Sequence, residues 1–112
     1  MNSFADNILA EANGEDIESV VIGAFGYGKG WHAPDTEQVI PREKMGVALP
    51  WAGASVLLDY EYYTGFGAPN CHAVWAWTAS RVIFVSTYDG STSVTSVPRN
   101  PRDGTPSMPG GG

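Results

Sequence analysis

The residues best suited to chemistry in this chain stand together in the segment VPRNPR, residues 97–102. Arg99, Asn100 and Arg102 follow a predicted final strand, and the two prolines restrict the backbone that presents them. A guanidinium can hold a phosphate through two parallel hydrogen bonds, and an asparagine can read a base edge or a ribose hydroxyl. Rings from Phe66, Trp75 or Tyr88 can stack a base at about 1–3 kcal/mol each. That set is what a small anionic nucleotide needs. The competing reading is a surface tail whose arginines pair with the chain's own carboxylates.

Other residues are less suited to chemistry. GAFGYGKG, residues 23–30, follows a predicted strand and has the Gly, four residues, Gly, Lys spacing of a phosphate-cradling loop. Gly30 stands where Ser or Thr would hold magnesium, and no helix start follows to receive the phosphate. Cys71 and His72 are adjacent on a predicted strand, so they point to opposite faces and cannot form an activated pair. With His32 they are also too few for a zinc site. Asp59 and Glu61, read as two apart on a helix, do not share a face. The expectation is a protein with no catalytic residues, no metal and no cofactor.

Six basic against twelve acidic residues leave a net charge of −6, which argues against a binder of long nucleic acid. The charge is uneven: residues 1–18 carry five carboxylates and no Lys or Arg. No apolar run approaches the ~18 residues of a membrane span, and the N-terminus lacks the features of a secretory signal. The single cysteine excludes an intrachain disulfide, so a reducing cytoplasm is expected. At 112 residues and 43% apolar, the chain reads as one domain over residues 1–102, with residues 103–112 a disordered tail.

These residues must be positioned by a small α+β fold, a four-stranded mostly antiparallel sheet with two helices. Ser3 and Asp6 form a capping-box variant that opens a helix with Phe4, Ala5, Ile8, Leu9 and Ala12 on one side, stopped by Asn13-Gly14. Residues 17–25 are β-branched and read as a strand, and residues 26–46 as an irregular loop. Pro50 opens a second helix in which Trp51, Ala54, Leu58 and Tyr62 recur at helical spacing, with Gly65 as its stop.

Residues 71–78, 81–88 and 91–97 alternate with period two, and Asp89-Gly90 is a hairpin signal. Two-residue connections set Trp75 opposite Phe84, Trp77 opposite Val82, Phe84 opposite Thr95 and Val82 opposite Val97. One sheet face then carries Val74, Ala76, Ile83, Val85 and Val94. The other carries Trp75, Trp77, Val82 and Phe84 beside Ser86, Ser93 and Thr95. Either each face receives one helix, or the aromatic face meets a ligand or another subunit.

Residues 49–102 hold several segments in a characteristic order: a helix ending in DYEY, a G-F-G turn, the strand CHAVWAWT, the YDG hairpin and the PRNP exit. In these the chain resembles the phage Thoeris anti-defence protein one family. The resemblance implies a non-catalytic sponge that sequesters glycocyclic ADP-ribose immune signals in the host bacterial cytoplasm. It further implies a homodimer or hexamer, the latter able to hold cyclic trinucleotides at separate sites. Carried over residue by residue, it implies ligand contacts from Arg99, Asn100 and Arg102, with Phe66 and Trp75 as stacking rings. Two other readings stay open: an inhibitor that binds an immune protein by acidic mimicry, and a small hydrolase of the same signal.

Overall fold

Ser3 starts the first helix by the reciprocal contact its sequence predicts. Its hydroxyl accepts from the Asp6 N–H at 3.1 Å, and the Asp6 carboxylate accepts from the Ser3 N–H at 3.3 Å. The structure, a computed structural model, describes residues 3–25, 40–62, 71–88 and 91–100. Helix α1 spans Phe4–Glu11 and buries Phe4, Ala5 and Ile8. It ends in two left-handed residues, Asn13 at φ 53° and Gly14 at φ 88°, which turn the chain toward the sheet.

Strand β1 is Ser19–Phe25, α2 is Trp51–Leu57, and β2, β3 and β4 are His72–Trp77, Arg81–Tyr88 and Ser91–Pro98. The sheet runs in the order β1-β2-β3-β4, antiparallel throughout. Its register is the one expected: Trp75 opposes Phe84, Trp77 opposes Val82, Phe84 opposes Thr95 and Val82 opposes Val97. Between β1 and β2 the ladder slips after Ile22, so that Gly23 and Ala24 stand against Ala73 alone. That is a β-bulge, and it takes main-chain polar groups out of the ladder.

The outer edge of β1 is covered by residues 46–49. Leu49 and Val20 exchange both backbone hydrogen bonds at 2.8 and 2.9 Å, and the Gly46 N–H donates to the Ile22 carbonyl at 2.9 Å. Gly46 sits at φ +73°, a conformation that favours glycine and lets residues 41–46 turn back onto β1. A 3-10 turn, Arg42–Lys44, precedes it. The outer edge of β4 has no strand beside it among the described residues.

Both helices lie on one face of the sheet. Phe4, Ile8 and Ala12 from the first helix and Ala54 and Leu58 from the second share one buried cluster with Val20, Ile22, Val74, Ala76 and Ile83. Each large apolar side chain so buried contributes roughly 1.5–3 kcal/mol. The arrangement with one helix per face is therefore excluded for these two helices.

The second helix is shorter than its spacing suggests. It stops at Leu58, and Tyr62 reaches the core from the irregular chain that follows rather than from a helical turn. The cause is a competing use of the backbone. The Phe4 and Ala5 N–H groups, which a helix start leaves without internal partners, donate to the carbonyls of Tyr60 and Leu58 at 2.8 and 3.0 Å. Phe4 then packs against Tyr62 edge-on, with ring centroids 5.0 Å apart. Gly65, the Asp89-Gly90 turn and the predicted tail at 103–112 lie outside the described residues. No helix among the described residues is long and apolar enough to cross a membrane.

The one-sided core predicts unequal costs on the two faces. Ile83→Ala, at a fully buried inner position, should cost about 2–5 kcal/mol in urea denaturation. Trp75→Ala on the opposite face should cost no more than about 1.5 kcal/mol, the scale of a lost aromatic pair.

Candidate ligand-binding site

Alternation along the strands sends Val21, Trp75, Trp77, Val82, Phe84, Thr95 and Val97 to the face opposite the helices. Among the described residues this outer face carries no charged side chain. Trp75 is 59% exposed although it sits on an interior strand, and its ring is held edge-on by Trp77 at 6.3 Å and 71°. A large indole left in water by a folded sheet makes this face a candidate contact surface. Beside it runs an apolar cavity of about 490 Å³ lined by Val21, Gly23, Met45, Gly46, Ala73 and Trp75. Gly23 and Ala73 keep the groove open: a Cβ at Gly23 would already stand 3.4 Å from that of Ala73.

Of the residues expected to hold a ligand, Trp75, Arg99 and Asn100 are described, whereas Phe66 and Arg102 lie outside the described residues. Arg99 is occupied. One terminal nitrogen contacts the Glu18 carboxylate and donates to the Thr78 carbonyl at 2.8 Å, while the Arg99 N–H donates to the Ser80 carbonyl at 2.9 Å. The arginine thereby fastens the end of β4 to the β2–β3 turn and to the start of β1. The pair is roughly half exposed, so its Coulomb contribution is small. Asn100 is exposed beyond it.

The structure does not place Trp75 and Arg99 side by side. Trp75 is level with Thr95 two strands away, and Arg99 lies four residues further along. Ladder spacings put their Cα atoms roughly 15 Å apart.

Arg81, the other described arginine near that end, is also engaged. It donates to the Ser96 hydroxyl at 3.0 Å and the Ser96 carbonyl at 2.9 Å, and Ser96 in turn donates to Glu11 at 2.7 Å. These residues, with Glu15 and Ser80, line a polar cavity of about 420 Å³ between the end of α1 and the sheet. The cations that sequence reasoning passed over are Arg42 and Lys44. Both are exposed, and neither has an ion pair or side-chain hydrogen bond among the described residues. Their position in a segment without clear periodicity hid them; their one signal was their place beside Met45.

The buried titratable groups are held in structural roles. His72 Nδ1 lies 2.8 Å from the Tyr60 hydroxyl, which also accepts from the His72 N–H at 2.9 Å. Burial raises the Tyr60 phenol and pushes the Cys71 thiol up to about 12, far from a reactive thiolate. Asp59 and Glu61 are not helical as expected: they follow the end of α2, where the Tyr60 N–H donates to the Leu58 carbonyl at 2.9 Å in a tight turn, and both are exposed. No group of three His, Cys, Asp or Glu side chains among the described residues could hold a metal.

The chain matches no known protein family, no curated protein and no solved structure.

The sheet-end contacts give a pH signature. The Thr78 and Ser80 hydroxyls beside Glu15 hold its carboxyl below the ordinary value of 4.5. Ser80 Oγ donates to it at 2.7 and 2.9 Å. A lowered acid favours the folded state above its ordinary value, and that contribution is lost as pH falls through the folded value. Wild type should therefore lose thermal midpoint more steeply than Glu15→Gln between about pH 6 and pH 3. Parallel profiles would show that this carboxylate contributes nothing.

Proposed function

We propose that the protein binds and sequesters a small anionic nucleotide without altering it, a cyclic ADP-ribose-type immune signal being the favoured class. The observation that carries this is Trp75: a clamped, mostly exposed indole on a sheet face with no charged side chain among the described residues, next to an apolar groove. A flat ring on a rigid strand loses little freedom when it stacks a base, which favours tight capture.

The order of segments in residues 49–102, and their likeness to the Thoeris anti-defence protein one family, supplies the ligand class. In this reading the protein acts in a phage-infected bacterial cytoplasm, as a homodimer or hexamer that can also accept cyclic trinucleotides. It carries no catalytic residue and no metal or other cofactor. The inertness of Cys71 and the Tyr60 contact of His72 support capture over hydrolysis. The acidic balance of the chain supports a compact ligand over a long polyanion.

Incubation with glycocyclic ADP-ribose, removal of free ligand and heat denaturation separate the readings. Intact ligand in the released fraction, identified by mass, is the expected result. A ligand of altered mass would make the protein a hydrolase. An empty fraction would favour a protein partner met through the acidic surface.

A further inference from the structure

The exposed cations and the apolar groove belong to one stretch of structure. Arg42 and Lys44 are the first and last residues of the 3-10 turn that delivers Met45 and Gly46 into the groove wall. The Met45 N–H donates to the Arg42 carbonyl at 3.2 Å, and the Gly46 N–H ties the turn to β1 at Ile22, the last residue before the bulge. The position of this turn against the groove is thus fixed by main-chain bonds.

Charge sorts the chain's cations. Arg81 is committed to Ser96 and Arg99 to Glu18 and Thr78, whereas Lys29 and Arg102 are not among the described residues. Arg42 and Lys44 have no partner among the described residues, and with Glu43 between them the turn keeps a net charge of +1. In a chain of net charge −6, an unpaired basic turn beside an uncharged groove is a local match for a ligand with one neutral flat end and one anionic end.

We propose that this groove is a nucleobase pocket: the base lies against Trp75 over Gly23 and Ala73, and the phosphates meet Arg42 and Lys44. The ligand's identity rests on the capture reading above, but the site does not: it places the anionic contacts at the opposite end of the sheet from Arg99. Three features support a base rather than an aliphatic group. The Trp75 ring is already oriented by Trp77. Gly23 and Ala73 in the groove wall carry the smallest side chains, so a planar ring can approach the backbone there. The bulge places Gly23, a groove-lining residue, outside the regular ladder, where main-chain polar groups are free to meet a base edge.

The test is calorimetric titration with AMP and with glycocyclic ADP-ribose, on wild type and three variants. Arg42→Ala/Lys44→Ala removes the anionic contacts at exposed positions, so the thermal midpoint should not move. It should weaken both ligands at least about tenfold. Gly23→Val fills the groove at a position without positive φ, and Trp75→Ala removes the stack; each should weaken binding about tenfold or more.

Capture of the cyclic ligand with full affinity in the three variants would overturn this site and leave the capture reading intact. AMP binding that the variants abolish, with no binding of the cyclic ligand, would support the pocket and overturn the cyclic ADP-ribose class of the capture reading. Binding of neither ligand by wild type would overturn both.

Discussion

Two hydrogen bonds decide how this molecule is built. The first N–H groups of α1 find their acceptors in the carbonyls of Leu58 and Tyr60, the stretch through which the chain leaves α2. Helix starts need such partners, and here a backbone segment supplies them beside the side-chain cap from Ser3. The consequence is geometric. Tying the start of one helix to the end of the other brings both onto the same side of the sheet, where Phe4 packs among Tyr60 and Tyr62. The other side of a four-stranded sheet is left with its indoles in contact with water.

How much of this was legible depended on the range of each interaction. The register of β2, β3 and β4 follows from short connections and period-two alternation, both local, so the sorting of Trp75 and Ile83 to opposite faces was readable. The cap at Ser3 and the stop at Asn13-Gly14 are equally local. The end of α2 was not readable, because Tyr62 falls at helical spacing yet reaches the core from irregular chain beyond the helix. What displaces the helix there is an acceptor demand from residues more than fifty positions earlier. The contact between Arg99 and Glu18 is hidden for the same reason: 81 positions separate its members.

The candidate site shows the same division. Trp75 could be picked out, since its ring type and its strand parity are both written in the sequence. The groove next to it could not. It needs the slip in the β1–β2 ladder and the turn at Gly46, and neither leaves a mark until both strands are in place. Arg42 and Lys44 acquire meaning only when the more conspicuous arginines, Arg81 and Arg99, are found already committed to holding the sheet end together.

A slab with its stabilising contacts on one side and its solvent-facing rings on the other separates two kinds of selection. Substitutions at outer positions such as Val21, Thr95 and Val97 touch none of the packing that keeps α1 and α2 in place. Such positions can drift, and with them the shape offered to a ligand, at little risk to folding. That separation lets the outer surface change by single substitutions while the packed side stays as it is.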